Sequence, residues 1–336
     1  MIITFVLFGI TSYQYIQTHP KYIYVNKDVI EKVFLPPLNT TNIGNKLENK
    51  KSSSETSKNI LDGCYHVYLD VGSNIGVQVR KLFEPELYPE ASVHAIFNSQ
   101  FGSIEERTLH KQIICAVGFE PNPHHTEYLK QVESSYKKCG WNVRFFTQSA
   151  VSDHNGITQF YSDEAYDYFE WGGGILAPDV NNIAVEPKRH NHNVTLIRLS
   201  EFLKDVVATR KLPKVQREGI GSKETVFRQP RVVMKMDIEG SEVDVVPDLI
   251  FTGGLQLINS IMVEWHERLE KLPERIESQK ILSEVIENLS EYSRKMSTFD
   301  FNLVNIDDET YFDSRFDLPT CIAGHRVQYM NSSLIF

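Results

Sequence analysis

The apolar pattern divides the chain near position 60. An apolar run from Ile2 to Ile10, continuing more weakly to Ile16, opens the sequence; residues 39–59 are polar, Ser/Lys-rich and nearly free of large apolar side chains. From Tyr65 onward, short apolar runs alternate with stretches of helical period. The runs "HVYLDV", "IICAVGFE", "NVRFFTQ", "ITQFYS", "VTLIRL", "RVVMKMDI" and "NSIMVEW" predict strands, as do "FNLVNI" and "RVQYM" near the end. Helices are expected after Gly76, after Pro123, at Ser200 with that serine as N-cap, after Ser241 and after Pro273. In the last of these, Ile276, Leu282, Val285, Ile286 and Leu289 fall on one face. Strands alternating with helices in this way predict an α/β fold with a largely parallel sheet and helices on both faces.

Two polar, Gly/Pro-punctuated stretches break the rhythm, Glu84 to Lys111 and Lys211 to Gln229, and read as surface insertions. The segment "EWGGGILAPD" reads as a mobile loop. The expected organisation is therefore a signal peptide or marginal membrane anchor over 1–20, a flexible stem over 21–60, and one folded domain over 61–336. Topology is read two ways. Lys21, Lys27 and Lys32 follow the apolar run and no basic residue precedes it, which would keep the downstream chain cytosolic. A terminal apolar run before a polar stem is instead the layout of a membrane-attached, Golgi- or ER-type protein, or of a secreted one. The sequons at Asn39, Asn193, Asn288 and Asn331 are compatible with that second arrangement.

Composition narrows the partners. The net charge of −9 argues against a nucleic-acid binder, since nothing offsets phosphate repulsion. Lys188, Arg189 and His190 make the one short basic cluster of note and read as a solvated loop. The cysteines, Cys64, Cys115, Cys139 and Cys321, show no C-x-x-C spacing, which argues against a zinc site. Their even number permits two disulfides without requiring them, and Cys115, inside an apolar run, reads as a buried small hydrophobe.

The chemistry concentrates at three strand ends. "LDVGSNIG" joins a strand to a helix through Gly72 and Gly76, separated by three residues. That is neither the G-x-G-x-x-G of a dinucleotide fold nor a P-loop. D-x-G-x-N-x-G fits a nucleoside without phosphates: Gly72 admits a ligand to the backbone, Asp70 can bind an ammonium, and Asn74 offers neutral hydrogen bonds. "IICAVGFEPNP" ends a strand in Glu120, placed to accept both hydroxyls of a ribose. "RVVMKMDIEGSEVDVV" sets Lys235 and Asp237 in a run that should be apolar on both faces, and a lysine there needs a carboxylate partner, either Asp237 or Glu264. Asp237, Glu239 and Glu242 crowd the end of that strand. "NSIMVEWHER" brings Glu264 and His266 to the same rim, without the second histidine of a zinc-protease helix.

Leu69-Asp70-Val71-Gly72-Ser73-Asn74-Ile75-Gly76, Gly118-Phe119-Glu120-Pro121-Asn122, Ala150-Val151-Ser152-Asp153 and, above all, Lys235-Met236-Asp237-Ile238-Glu239-Gly240-Ser241-Glu242 resemble the FkbM-type methyltransferases. The resemblance covers roughly Tyr65 to His266. It implies a Rossmann-like, class I methyltransferase fold and S-adenosylmethionine as cofactor. Gly72 and its neighbours Ser73, Asn74 and Gly76 would line the methionine end, Glu120 would hold the ribose, and Ser152 and Asp153 would lie near the adenine. It further implies methylation of a hydroxyl on a sugar, glycan or other small molecule. The proton of that hydroxyl needs a base, for which His266 or a carboxylate of the Asp237/Glu239 set is the candidate, beside Lys235. No resident metal is expected, although these carboxylates could clamp a divalent ion. Two alternatives stand beside this reading: a non-catalytic scaffold that binds S-adenosylmethionine, and a Golgi-type glycosyltransferase, for which the usual D-x-D is missing.

Overall fold

The computed structural model describes residues 58–109, 113–163, 173–175, 189–213, 229–266, 273–296, 300–305 and 317–320. The terminal apolar run, the stem, most of the 211–229 and "EWGGGILAPD" stretches and the expected strand "RVQYM" lie outside them. No helix among the described residues is long and apolar enough to cross a membrane.

In chain order the elements are β1 (His66–Val71), α1 (Val77–Phe83), α2 (His94–Phe101), α3 (Ile104–Leu109), β2 (Ile114–Glu120), α4 (Thr126–Lys138), β3 (Asn142–Thr147), β4 (Ser149–Ser152), β5 (Gly156–Asp163), β6 (Arg189–Arg198), α5 (Leu199–Phe202), β7 (Val232–Met236), α6 (Glu242–Thr252), β8 (Ser260–Val263), α7 (Pro273–Met296) and β9 (Asn302–Leu303). Six strands form one sheet in the order β3-β2-β1-β7-β8-β9, every pairing parallel. A second sheet, β4-β6-β5, carries an antiparallel β5/β6 pair. The expected α/β architecture, Rossmann-like with a parallel central sheet, is present.

Strand alternation divides the core. Val67, Leu69 and Val71 of β1 and Val232, Met234 and Met236 of β7 face one apolar cluster, which α5, α6 and α7 cover with Phe202, Val246, Ile286 and Leu289. Tyr68 and Val233 face the opposite cluster, covered by α1, α2 and α4 through Val79, Phe97 and Leu129. Continuous burial along β1 and β2 is what a sheet covered on both faces requires.

Several local expectations are corrected. The Glu84 to Lys111 stretch is not a surface insertion: Tyr88, Val93, Phe97 and Phe101 are buried in the second cluster. Its apolar residues are spaced widely among polar ones, so its composition hid them. Ser200 lies inside α5, which Arg198 caps, and its hydroxyl bonds Asp248. Arg189 and His190 open β6 rather than forming a loop, paired with Asp163 and Ser162 of β5. Cys115 is not a free hydrophobe but is joined to Cys64, with Cα atoms 5.6 Å apart; Cys139 is also disulfide-bonded.

The Cys64–Cys115 bridge ties the amino ends of β1 and β2 together across 51 residues of sequence. Closing a loop of that length restricts the unfolded chain, so Cys64→Ala/Cys115→Ala should lower unfolding free energy by about 2–4 kcal/mol. Urea melts of the two proteins under non-reducing conditions check this; equal midpoints would show that the bridge carries no stability.

Candidate functional site

Strand order runs away from β1 in both directions, through β2 and β3 on one side and β7 to β9 on the other. The crevice at the carboxyl ends of such strands, where the order reverses, is where open α/β sheets place ligands. A cavity lies there, lined by Gly72 and Asn74 beyond β1, Phe119 to Asn122 at the end of β2, and Asp237, Ile238, Glu239 and Ser241 beyond β7. Ala150, Val151, Phe160 and residues 173–175 close it from the second sheet.

The turn after β1 is set by backbone contacts. Gly72 and Ser73 donate their amides to the Phe119 carbonyl at 3.1 and 3.0 Å, and Asp237 donates to Val71 at 2.9 Å. Gly72 has φ +91°, and a Cβ there would stand 1.8 Å from the Asp237 carbonyl oxygen. The glycine is therefore demanded first by the neighbouring strand end, and only then by any ligand. Ser73 is buried, its hydroxyl donating to the Asp70 carbonyl at 2.9 Å, and it does not line the cavity. Gly76 caps α1 in the left-handed conformation.

Glu120 is 5% exposed. Its Oε2 accepts the Asn74 amide at 2.5 Å and its Oε1 the Asn122 amide at 2.8 Å. One carboxylate thus fixes the turns after both β1 and β2 while facing the cavity. Ser152 and Asp153 do not line this cavity. They line an adjoining one, which shares Ile175 and Ser241 with the first.

Asp70 is fully buried and off the wall of both cavities, so it does not present its carboxylate to a ligand ammonium as its place in the motif suggests. It stands opposite Lys235 in the β1/β7 register. Burial pushes its carboxyl up to about 7, against the pull of the Lys235 ammonium. Lys235 bonds Asp237 and lies 3.8 Å from Glu264, so both anticipated partners are present. Burial works against its charge, but Asp237, Asp70 and Glu264 outweigh burial and raise its pKa.

The turn after β7 is the most constrained part of the site. Glu239 has φ +55° without being glycine, a conformation that persists only where surroundings enforce it. The enforcing group is Glu242, fully buried at the start of α6, whose carboxylate reaches back to the Ile238 and Gly240 amides at 2.8 and 2.9 Å. The same carboxylate lies 3.1 Å from His266 Nδ1. Glu242 was visible in the sequence only as one more acid in a crowd; its spacing to the turn before a helix was the signal for this reach-back role.

His266 Nε2 then points among Asp237, Glu264 and Glu239 at 3.4, 3.5 and 3.7 Å. The donor atoms of Asp237, Glu239 and His266 all lie within 4.8 Å of one another, a spacing that could hold a metal ion. Burial lowers the imidazole pKa, but Glu242, Glu264 and Glu239 prevail and hold it up at about 10. His266 is only 2% exposed and absent from the cavity wall. Covered and off the cavity wall, it does not face a ligand there as a base at the rim would. Glu239 does line the cavity, and burial raises its carboxyl to about 7. Comparison with protein-family models, with curated proteins and with solved structures finds no match to this chain.

The Asp70–Lys235 pairing has a consequence for stability. A carboxyl whose folded pKa exceeds its unfolded value destabilises the native state as pH rises between the two. In wild type Asp70 completes that loss near pH 7. Lys235→Met removes the charge that restrains the shift, so its stability deficit should widen as pH rises above about 7. Denaturant melts of both proteins at pH 6 and pH 9 check this; a deficit independent of pH would show that Lys235 does not act on Asp70.

Proposed function

We propose that the cavity binds S-adenosylmethionine and that the protein is a methyltransferase acting on a hydroxyl of a sugar, glycan or other small molecule. This is also what the FkbM-type resemblance implies. The observation that carries the reading is the sign of the cavity wall. Glu120, Asp237 and Glu239 line it, and no lysine or arginine is among its described lining residues. Such a wall favours a sulfonium and an ammonium and repels the diphosphate of a dinucleotide or a nucleotide sugar.

Glu120 suits a ribose. A carboxylate offers about four acceptor sites; the two backbone amides use two and His125 Nδ1 stands 3.5 Å from Oε1, which leaves acceptor capacity for a ribose hydroxyl on Oε2. S-adenosylmethionine, when bound, supplies a methyl group on a sulfonium that leaves as a neutral thioether. The chain's own tasks are to hold the acceptor oxygen in line with that methyl and to take its proton. Glu239 is the group for the second task, since it faces the cavity where His266 does not. The proton moves from the acceptor hydroxyl to a Glu239 carboxylate oxygen as the acceptor oxygen bonds carbon. His266 and Glu242 position the turn that presents Glu239.

Two features bear on the compartment. The Cys64–Cys115 bridge suits an oxidising environment, and the sequon residues Asn193 and Asn288 are both exposed. These favour a lumenal or secreted domain over the cytosolic topology that Lys21, Lys27 and Lys32 would give.

Calorimetry should show binding of S-adenosylhomocysteine and no binding of NAD. Glu120→Gln should weaken S-adenosylhomocysteine binding by about 1–3 kcal/mol through lost charge-assisted bonds. Glu239→Gln should leave that affinity within about threefold while slowing methyl transfer from labelled cofactor into glycan or small-molecule fractions roughly 10²–10⁴-fold. NAD binding in this cavity, or no binding of S-adenosylhomocysteine by the folded protein, would overturn the assignment.

A further inference from the structure

We propose that Asp237, Glu239 and His266, with Glu264 beside them, form a binding site for one divalent cation at the wall of the β1/β7 cavity. This does not rest on the methyl-transfer reading; it follows from the packing around one imidazole nitrogen. His266 is 2% exposed, and its Nε2 has no hydrogen-bond partner among the described residues. Three carboxylates nevertheless surround that nitrogen at 3.4 to 3.7 Å. These separations are too long for good hydrogen bonds. They are close to what ligands show when they share an ion: bonds of about 2.1 Å at right-angled to tetrahedral spacing place donor atoms about 3.0–3.4 Å apart.

The support behind the donors has the same character. Glu242 holds the Nδ1 side of the ring at 3.1 Å and is itself pinned by the Ile238 and Gly240 amides. A carboxylate behind a histidine fixes the ring's orientation and raises the basicity of the nitrogen that faces a metal. Lys235 takes Asp237 Oδ2, which leaves Asp237 Oδ1 as the oxygen facing His266. Around the cluster Asp237, Glu239, Glu242 and Glu264 bring four carboxylates to Lys235 and the His266 ring. A divalent ion that takes the place of the His266 Nε2 proton, releasing it to solvent, adds one further positive charge to this acidic group.

The donor set is oxygen-rich with one imidazole and no sulfur, which suits Mn²⁺ or Mg²⁺ rather than a thiolate-seeking metal. An ion of this kind takes about six ligands. Three or four come from the protein, so the rest are left for oxygen atoms arriving from the cavity that Asp237 and Glu239 line. Each carboxylate gives the ion one oxygen, and the second oxygen of Glu239 stays available to a neighbouring hydroxyl. The ligand class that would complete the site is an oxygen chelator such as a vicinal diol.

The test is Mn²⁺ binding to the full chain after chelator treatment, read by electron paramagnetic resonance with neither cofactor nor acceptor present. One saturable Mn²⁺ is expected, displaced by excess Mg²⁺. Its pulsed spectrum should show ¹⁴N coupling from a coordinated imidazole. His266→Ala and Glu239→Gln should each lower the affinity at least tenfold, and Asp205→Asn, on the exposed side of the turn after α5, should not. Circular dichroism establishes that each variant is folded. Absence of saturable binding, absence of ¹⁴N coupling in wild type, or equal affinity in the folded variants would overturn the site. The wild-type spectrum decides the matter even if both variants fail to fold. Because no methyl donor is present, failure here leaves the cofactor assignment untouched, and the reverse also holds.

Discussion

A lysine opposite an aspartate in the middle of a parallel sheet sets the terms for the whole site. Asp70 and Lys235 are register partners on β1 and β7, on a face whose other members are Tyr68 and Val233. A pair of apolar residues there would serve the sheet at least as well, since desolvating two charges offsets most of their attraction. The pair makes sense as the root of something further out. Lys235 extends along the sheet to Asp237 and Glu264, and Asp237 begins the carboxyl rim of the cavity. The buried cation thus allows several acids to crowd one strand end without mutual repulsion prising the strands apart.

Order at that rim is imposed from the start of α6. Glu242 satisfies two amides of the turn, sustains the left-handed Glu239 and orients His266 in one arrangement. Three features that could each vary independently are therefore tied to a single buried carboxylate. Glu120 does the equivalent work across the cavity, joining the turns after β1 and β2. Both walls are preorganised by a glutamate bonded to backbone amides, which limits the reorganisation left for a ligand to impose.

Much of this was legible in the sequence because it is local. The strands of the central sheet follow from continuous apolar runs, and the three chemical strand ends follow from polar residues placed where burial should forbid them. The tension of Lys235 inside β7 pointed directly to its carboxylate partners. What could not be read is what depends on crossings between distant segments. Asp70 reads as a ligand group in a motif, but in the fold it is fully buried opposite Lys235 of β7. Gly72 reads as room for a ligand, yet the Asp237 carbonyl already fills that space. His266 reads as a base at a rim, whereas Glu242, 24 residues earlier, holds the ring where it is covered. Ser152 and Asp153 sit at the end of β4, in a second sheet whose position no periodicity reveals. The 84–111 segment escaped for another reason, since its buried aromatics are too sparse to form a run.

The proposed function makes the negatively lined crevice beyond β1, β2 and β7 a nucleoside site with its ribose on Glu120. A crystal structure grown with S-adenosylhomocysteine tests it most directly. The ribose hydroxyls are expected against the Glu120 carboxylate and the homocysteine end over the Gly72–Asn74 turn. Ligand density elsewhere on the protein, or a diphosphate seated between Glu120 and Glu239, would contradict it.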